Sequence, residues 1–173
     1  MKWTHLLAIG MWIVGVLLLL KVAEASKLVV FDPQQKLLMQ SMTSDFDQKF
    51  AHSLKTYAGE LSNTLVHFRA GSCICETLVE SHSEQLTRRL SVSGYRALTI
   101  NLEHNPAIAA YIPSTPAVAV FNEAQQLVYL GPYAVGLGCF TDDSLIATIT
   151  QYLNIAYLGA HINADVSGCY CAT

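Results

Sequence analysis

Leu65-Val66-His67-Phe68-Arg69-Ala70-Gly71-Ser72-Cys73-Ile74-Cys75-Glu76 is the stretch on which the fold turns. An apolar run reaches Phe68, a short loop with Gly71 follows, and a helical pattern begins at the cysteines. The stretch reads as a buried strand, a loop and the first turn of a helix. A helix N-terminus favours thiolate over thiol, so two thiols at such a junction are placed for redox chemistry. A second Cys-x-Cys pair, Cys169-Tyr170-Cys171, lies near the last residue. With Cys139 the chain has five cysteines. An odd count leaves at least one thiol free or engaged with another partner.

The flanking pattern extends this into an α/β chain. Phe46, Phe50, Leu54 and Tyr57 recur at helical spacing, and Ser44-Asp45 can cap a helix over about 45–58. Before it, Leu28-Val29-Val30-Phe31 and the turn signal Asp32-Pro33 read as a stalk or a first edge strand. After the cysteines an amphipathic helix is expected over 76–93, with Leu78, Val79, Leu86 and Leu90 inward and Gly94 at its end. A strand follows from Tyr95 to Leu102, and Asn105-Pro106 opens a short helix. Ala117 to Phe121 and Leu127 to Leu130 read as two strands joined at Asn122-Glu123. A loop with Gly136 and Gly138 carries Cys139, and Asp142 with Asp143 is expected to cap a last helix reaching about Leu158. The resulting order is strand, helix, strand, short helix, strand, strand, helix, with a tail over 161–173 that is either ordered or flexible.

Residues 1–26 read as an apolar leader, with Leu6 to Leu20 lying between Lys2 and Lys21. Two readings compete. One is a cleaved signal peptide ending at Ala23-Glu24-Ala25. The other is an uncleaved anchor from Trp3 to Leu20, near the lower limit for spanning a bilayer. Lys21 and Glu24 fit a cleavage region poorly, and Trp3 suits a membrane interface, so the anchor is the stronger expectation. Either way the remainder is exported. It is then anchored to the inner membrane and faces the periplasm, or is soluble in the periplasm after cleavage. In such an oxidising compartment cysteines are bonded or do redox work. The chain has 173 residues and a formal net charge of −3 without a basic block, which argues against nucleic acid as a partner. Residues 27–58 are read as a juxtamembrane segment with a first helix, and 59–160 as the main domain.

Two local matches carry a family resemblance. Val66 to Cys73 resembles the strand and active-site loop of the thioredoxin-like superfamily. Thr115-Pro116-Ala117-Val118-Ala119-Val120-Phe121, about 40 residues on, resembles its cis-proline segment. The resemblance covers about 60–158. More narrowly, the chain is similar to membrane-anchored or exported bacterial members with Cys-x-Cys in place of Cys-x-x-Cys. The resemblance implies a three-layer α/β fold, a mixed central sheet flanked by helices. It implies Cys73 as the attacking thiolate and, with a one-residue deletion, Cys75 as the resolving cysteine. It also implies that the Thr115 backbone pairs with a bound peptide, held by a cis bond at Pro116. The tryptophan often found before the nucleophile is Ser72 here.

The implied activity is thiol–disulfide exchange in the envelope, of oxidoreductase or isomerase type, with protein thiols or disulfides as partners. Side chains two residues apart diverge in a helix. A Cys73–Cys75 disulfide therefore needs a bent backbone and should be easily reduced. Cys139, Cys169 and Cys171 are candidates for a relay with the first pair or for structural disulfides. A second function class is a Cu(I) or zinc site built on thiolates, although Cys-x-Cys is a weak zinc spacing. A third is a redox-inert binding module. No cofactor is indicated: no phosphate-cradling glycine loop, Ser-His-Asp order or paired carboxylates stand out. His67 reads as a satisfied core histidine, His82 as solvent-facing, Glu76 as a complement to the helix dipole, and Arg69 either as a stabiliser of a nearby thiolate or as a solvated side chain.

Overall fold

The computed structural model describes residues 2–25, 28–71, 73–141 and 144–173. Ser72 and the Asp142-Asp143 cap lie outside the described residues. Inside them a five-stranded mixed sheet forms from β2 (Thr64–Arg69), β3 (Arg96–Asn101), β5 (Ala117–Phe121), β6 (Leu127–Gly131) and β7 (His161–Ile162), in the order β3-β2-β5-β6-β7. β2 runs parallel to β3 and antiparallel to β5, with Val66 beside both Leu98 and Ala119. β5 and β6 form an antiparallel hairpin, and β7 adds parallel to β6.

Alternation along the strands divides the interior into two cores. Val66, Phe68 and Phe121 face one side, where α3 (Phe46–Ala58) and α6 (Pro106–Ala109) supply Phe50, Leu54 and Ile108. Leu65, Val118 and Val120 face the other, where α5 (Glu80–Ser91) and α7 (Ile146–Leu153) supply Leu86, Leu90 and Ile149. Helices on both faces of one sheet make three layers. Cys75, Cys139 and Cys169 belong to the second core.

Two expectations need correction. The single helix over 76–93 is two, α4 (Ile74–Leu78) and α5, separated at Val79 with φ −90° and ψ −4°. Of the two readings of the segment before α3, the first edge strand is the one the structure shows. β1 (Val29–Val30) pairs with β8 (Ser167–Gly168), Phe31 is fully buried, and Asp32 accepts bonds from the Lys36 and Leu38 N–H groups at 2.9 Å, anchoring α2 (Lys36–Ser41). The last helix stops at Leu153 rather than near Leu158, and the tail beyond it is ordered into β7, β8 and β9 (Cys171–Ala172).

The leader is helical, as α1 (Lys2–Ala25), and among the described residues no helix is long and apolar enough to cross a membrane. Thr4 and His5 interrupt the apolar run. The uninterrupted part, Leu6 to Leu20, rises only about 22 Å, against a hydrocarbon core of about 30 Å.

Candidate functional site

Cys73 is the last extended residue before α4, with φ −87° and ψ 137°, and Cys75 lies in the first turn of that helix. The change of backbone between them turns their side chains apart, so they do not bond to each other. Each meets the tail instead. Cys73 bonds Cys171 with Cα atoms 6.4 Å apart, and Cys75 bonds Cys169 with Cα atoms 5.6 Å apart. The expected Cys73–Cys75 bridge is therefore replaced by two parallel links between the Cys-x-Cys pairs. Cys73 and Cys171 are partly exposed, while Cys75 and Cys169 are buried. The sulfurs of Cys73, Cys75 and Cys171 lie within 4.8 Å of one another. Cys139 is free and buried, its thiol 3.8 Å from the Cys169 carbonyl oxygen, and burial pushes its pKa up.

Local pairing brings the tail to this place. β9 pairs antiparallel with β4 (Ser114–Thr115), setting Cys171 opposite Thr115 and Ala172 opposite Ser114. The Thr115-Pro116 peptide bond is cis, as the resemblance implied. Thr115 is fully buried, and its backbone is already paired with the protein's own strand. Between β8 and β9, Tyr170 plugs the core. Its hydroxyl donates to the Ala134 carbonyl at 2.7 Å, and its ring meets Phe31 edge-on at 5.1 Å. Gly168 makes room for that ring, since a Cβ there would sit 2.5 Å from it.

The polar groups around the sulfurs are buried more deeply than their types suggest. Glu76 is 9% exposed; its Oε1 accepts from the Ala70 N–H at 3.2 Å and its Oε2 lies 3.8 Å from Arg69 Nε. Burial raises its pKa, and the Ala70 N–H, the Thr115 hydroxyl and the Arg69 charge only partly offset that. His67 is also buried. Its Nε2 lies 2.9 Å from Thr87 Oγ1, and its Nδ1 hydrogen-bonds the Tyr133 hydroxyl. Burial first, and the Arg69 charge second, lower its pKa from 6.5 to about 4. His82 is not solvent-facing: it is 4% exposed, its Nε2 3.0 Å from the Gly138 carbonyl, because the 3₁₀ turn Gly136–Phe140 covers that face of α5.

The structure thus gathers Cys73, Cys75, Cys169, Cys171, Thr115 and Pro116 at one end of the sheet, with Cys139 behind them. The sequence offered the tail cysteines as a relay with the first pair or as structural disulfides, but not this cysteine-by-cysteine pairing. Its signal was present in the equal spacing of the two Cys-x-Cys pairs, which lets antiparallel segments match both cysteines at once.

No curated protein and no solved structure matches the chain. A family model does match, over residues 41–173, a range that holds all five cysteines and the whole five-stranded sheet. The chain accordingly belongs to the family described as a domain of unknown function, DUF6436.

Proposed function

We propose that the domain performs thiol–disulfide exchange, with its own tail as the internal disulfide partner of the Cys73-Ile74-Cys75 pair. One observation carries the reading: a partly exposed disulfide, Cys73–Cys171, lies directly over a buried one, Cys75–Cys169. A thiolate of a client dithiol attacks Cys73, forming a mixed disulfide and releasing Cys171 as thiolate. The client's second thiolate then displaces Cys73 and closes the client disulfide. Two electrons have passed to the domain, and the client's two thiol protons go to the released thiolates or to solvent. The freed Cys171 thiolate then lies within 4.8 Å of the Cys75 sulfur. It can displace Cys169 from it, forming a Cys75–Cys171 bond and passing the reduction inward as the Cys169 thiolate.

The thioredoxin-like reading is supported by the strand–loop–helix that carries Cys73, the mixed sheet, and the cis Thr115-Pro116 bond beside Cys171. A periplasmic location, with the leader as anchor or as signal peptide, is supported by the apolar leader and by two disulfides that a reducing compartment would not sustain. The partners on this reading are envelope proteins with paired thiols. The test is oxidation of a reduced dithiol peptide by the oxidised full chain, followed as loss of peptide thiols. Cys73→Ser should slow the reaction at least about 100-fold, and Cys139→Ser should leave it unchanged. An equal rate in Cys73→Ser sinks the proposal.

A further inference from the structure

We infer that Cys73, Cys75, Cys169 and Cys171, once reduced, form a tetrathiolate site for one soft d¹⁰ cation of the zinc class. The inference uses the cysteines of the exchange site but needs only that their disulfides open, not that they exchange with a client.

Three of the sulfurs, those of Cys73, Cys75 and Cys171, lie within 4.8 Å of one another, and Cys169 is bonded to Cys75. Four thiolates around zinc at about 2.3 Å sit about 3.8 Å apart. That separation lies between the bonded distance and the distance across the pairs. On reduction each bonded pair relaxes outward, the sulfurs of Cys73, Cys75 and Cys171 close by up to about 1 Å, and Cys169 swings in beside Cys75, movements within the reach of χ1 rotation. The Cα separations of 6.4 and 5.6 Å need not change.

The backbone holding these four residues does not depend on the sulfur bonds. β9 is tied to β4 by strand pairing, Tyr170 to Ala134 by its hydroxyl and to Phe31 by its ring, and β8 to β1. The site is therefore preformed when the disulfides open. Cys75 and Cys169 form a buried floor, while Cys73 and Cys171 form a partly exposed rim through which an ion enters. Thiolate ligands select zinc or Cu(I) over magnesium and calcium.

Opening each disulfide takes two electrons and two protons from a dithiol, which becomes a disulfide. Binding the cation then releases the thiol protons to solvent. Metal capture is thus gated by redox state: the doubly oxidised chain has no free ligand in the cluster, and the fully reduced chain has four.

The full chain is reduced anaerobically, freed of reductant and titrated with Co²⁺ and then with Zn²⁺ alone. One equivalent of Co²⁺ per reduced chain, with the intense visible bands of tetrahedral thiolate and displaced by Zn²⁺, is expected. The oxidised chain should bind at least about 100-fold more weakly. Cys139→Ser should match the wild type, and Cys169→Ser should lose the bands. A reduced chain that keeps its far-UV dichroism yet takes up no Co²⁺, or an oxidised chain that binds equally well, overturns the inference. The comparison of redox states requires no variant that might misfold. If the reduced chain binds no metal while the oxidised chain still oxidises a dithiol peptide, this inference alone has failed. If metal binds without any exchange, the exchange reading has failed instead.

Discussion

His67 uses both ring nitrogens inside the second core, and the direction of its bonds follows from its neighbours. Thr87 spends its one hydroxyl proton on the Ser83 carbonyl at 2.8 Å, so its oxygen accepts from His67 Nε2–H, and Nδ1 accepts from Tyr133. That is a neutral imidazole, in keeping with a pKa lowered to about 4. A histidine depressed in the folded state contributes stability above its unfolded value, and loses it as pH falls through the folded one. The window here runs from about 6.5 down to about 4. At about 1.4 kcal/mol per pH unit, the loss across it is about 3 kcal/mol. His67→Gln should therefore lose less stability than the wild type between pH 7 and pH 4, as read by urea unfolding at each pH; equal losses would remove His67 as the cause. His67 was legible in the sequence because it sits within an apolar strand. The burial of Glu76 and His82 was not, because the groups that cover them, Thr115 and Gly138, are far away along the chain.

Legibility at the level of elements follows length. α3, β2, β3, β5 and β6 carry enough apolar period to be read directly, as at Phe46, Phe50 and Leu54. β4, β8 and β9 are two residues each and have no period to read; only their partners define them. The tail is nevertheless decisive, since it presents Cys169 and Cys171 to α4. Its geometry rests on Gly168, where a Cβ would meet the Tyr170 ring at 2.5 Å. That ring is buried and hydrogen-bonded, so it cannot simply swing away. Gly168→Ala should lower stability by about 1–3 kcal/mol and make the outer disulfide easier to reduce. An unchanged denaturation midpoint would show that the tail adapts.

Across the whole molecule, the three-layer arrangement was legible because strands and helices alternate in the order the sheet requires. The disulfide links were not, since connectivity is a property of the folded chain. Their energetics are cooperative. The two bonds span 98 and 94 residues. Closing a loop of that size stabilises by about 4–5 kcal/mol through the unfolded chain. Once one link is made, the second closes only a small ring between the two Cys-x-Cys pairs and adds little by that route. The double variant Cys73→Ser, Cys171→Ser should thus cost under about 2 kcal/mol, while replacing all four cysteines should cost at least about 4 kcal/mol. Guanidinium unfolding of the oxidised variants measures both, and strictly additive losses would contradict the shared-loop account.

The most direct measurement is graded reduction of the folded, oxidised full chain with a dithiol, followed by alkylation and mass mapping of each cysteine. Cys73 is expected to be labelled first, together with Cys171 or, once the reduction has passed inward, with Cys169; Cys75 follows later, and Cys139 is labelled only on unfolding. Labels that appear together on Cys73 and Cys75, or a bridge to Cys139, or four cysteines that stay closed until the chain unfolds, would contradict a tail that serves as the internal partner of the Cys-x-Cys pair.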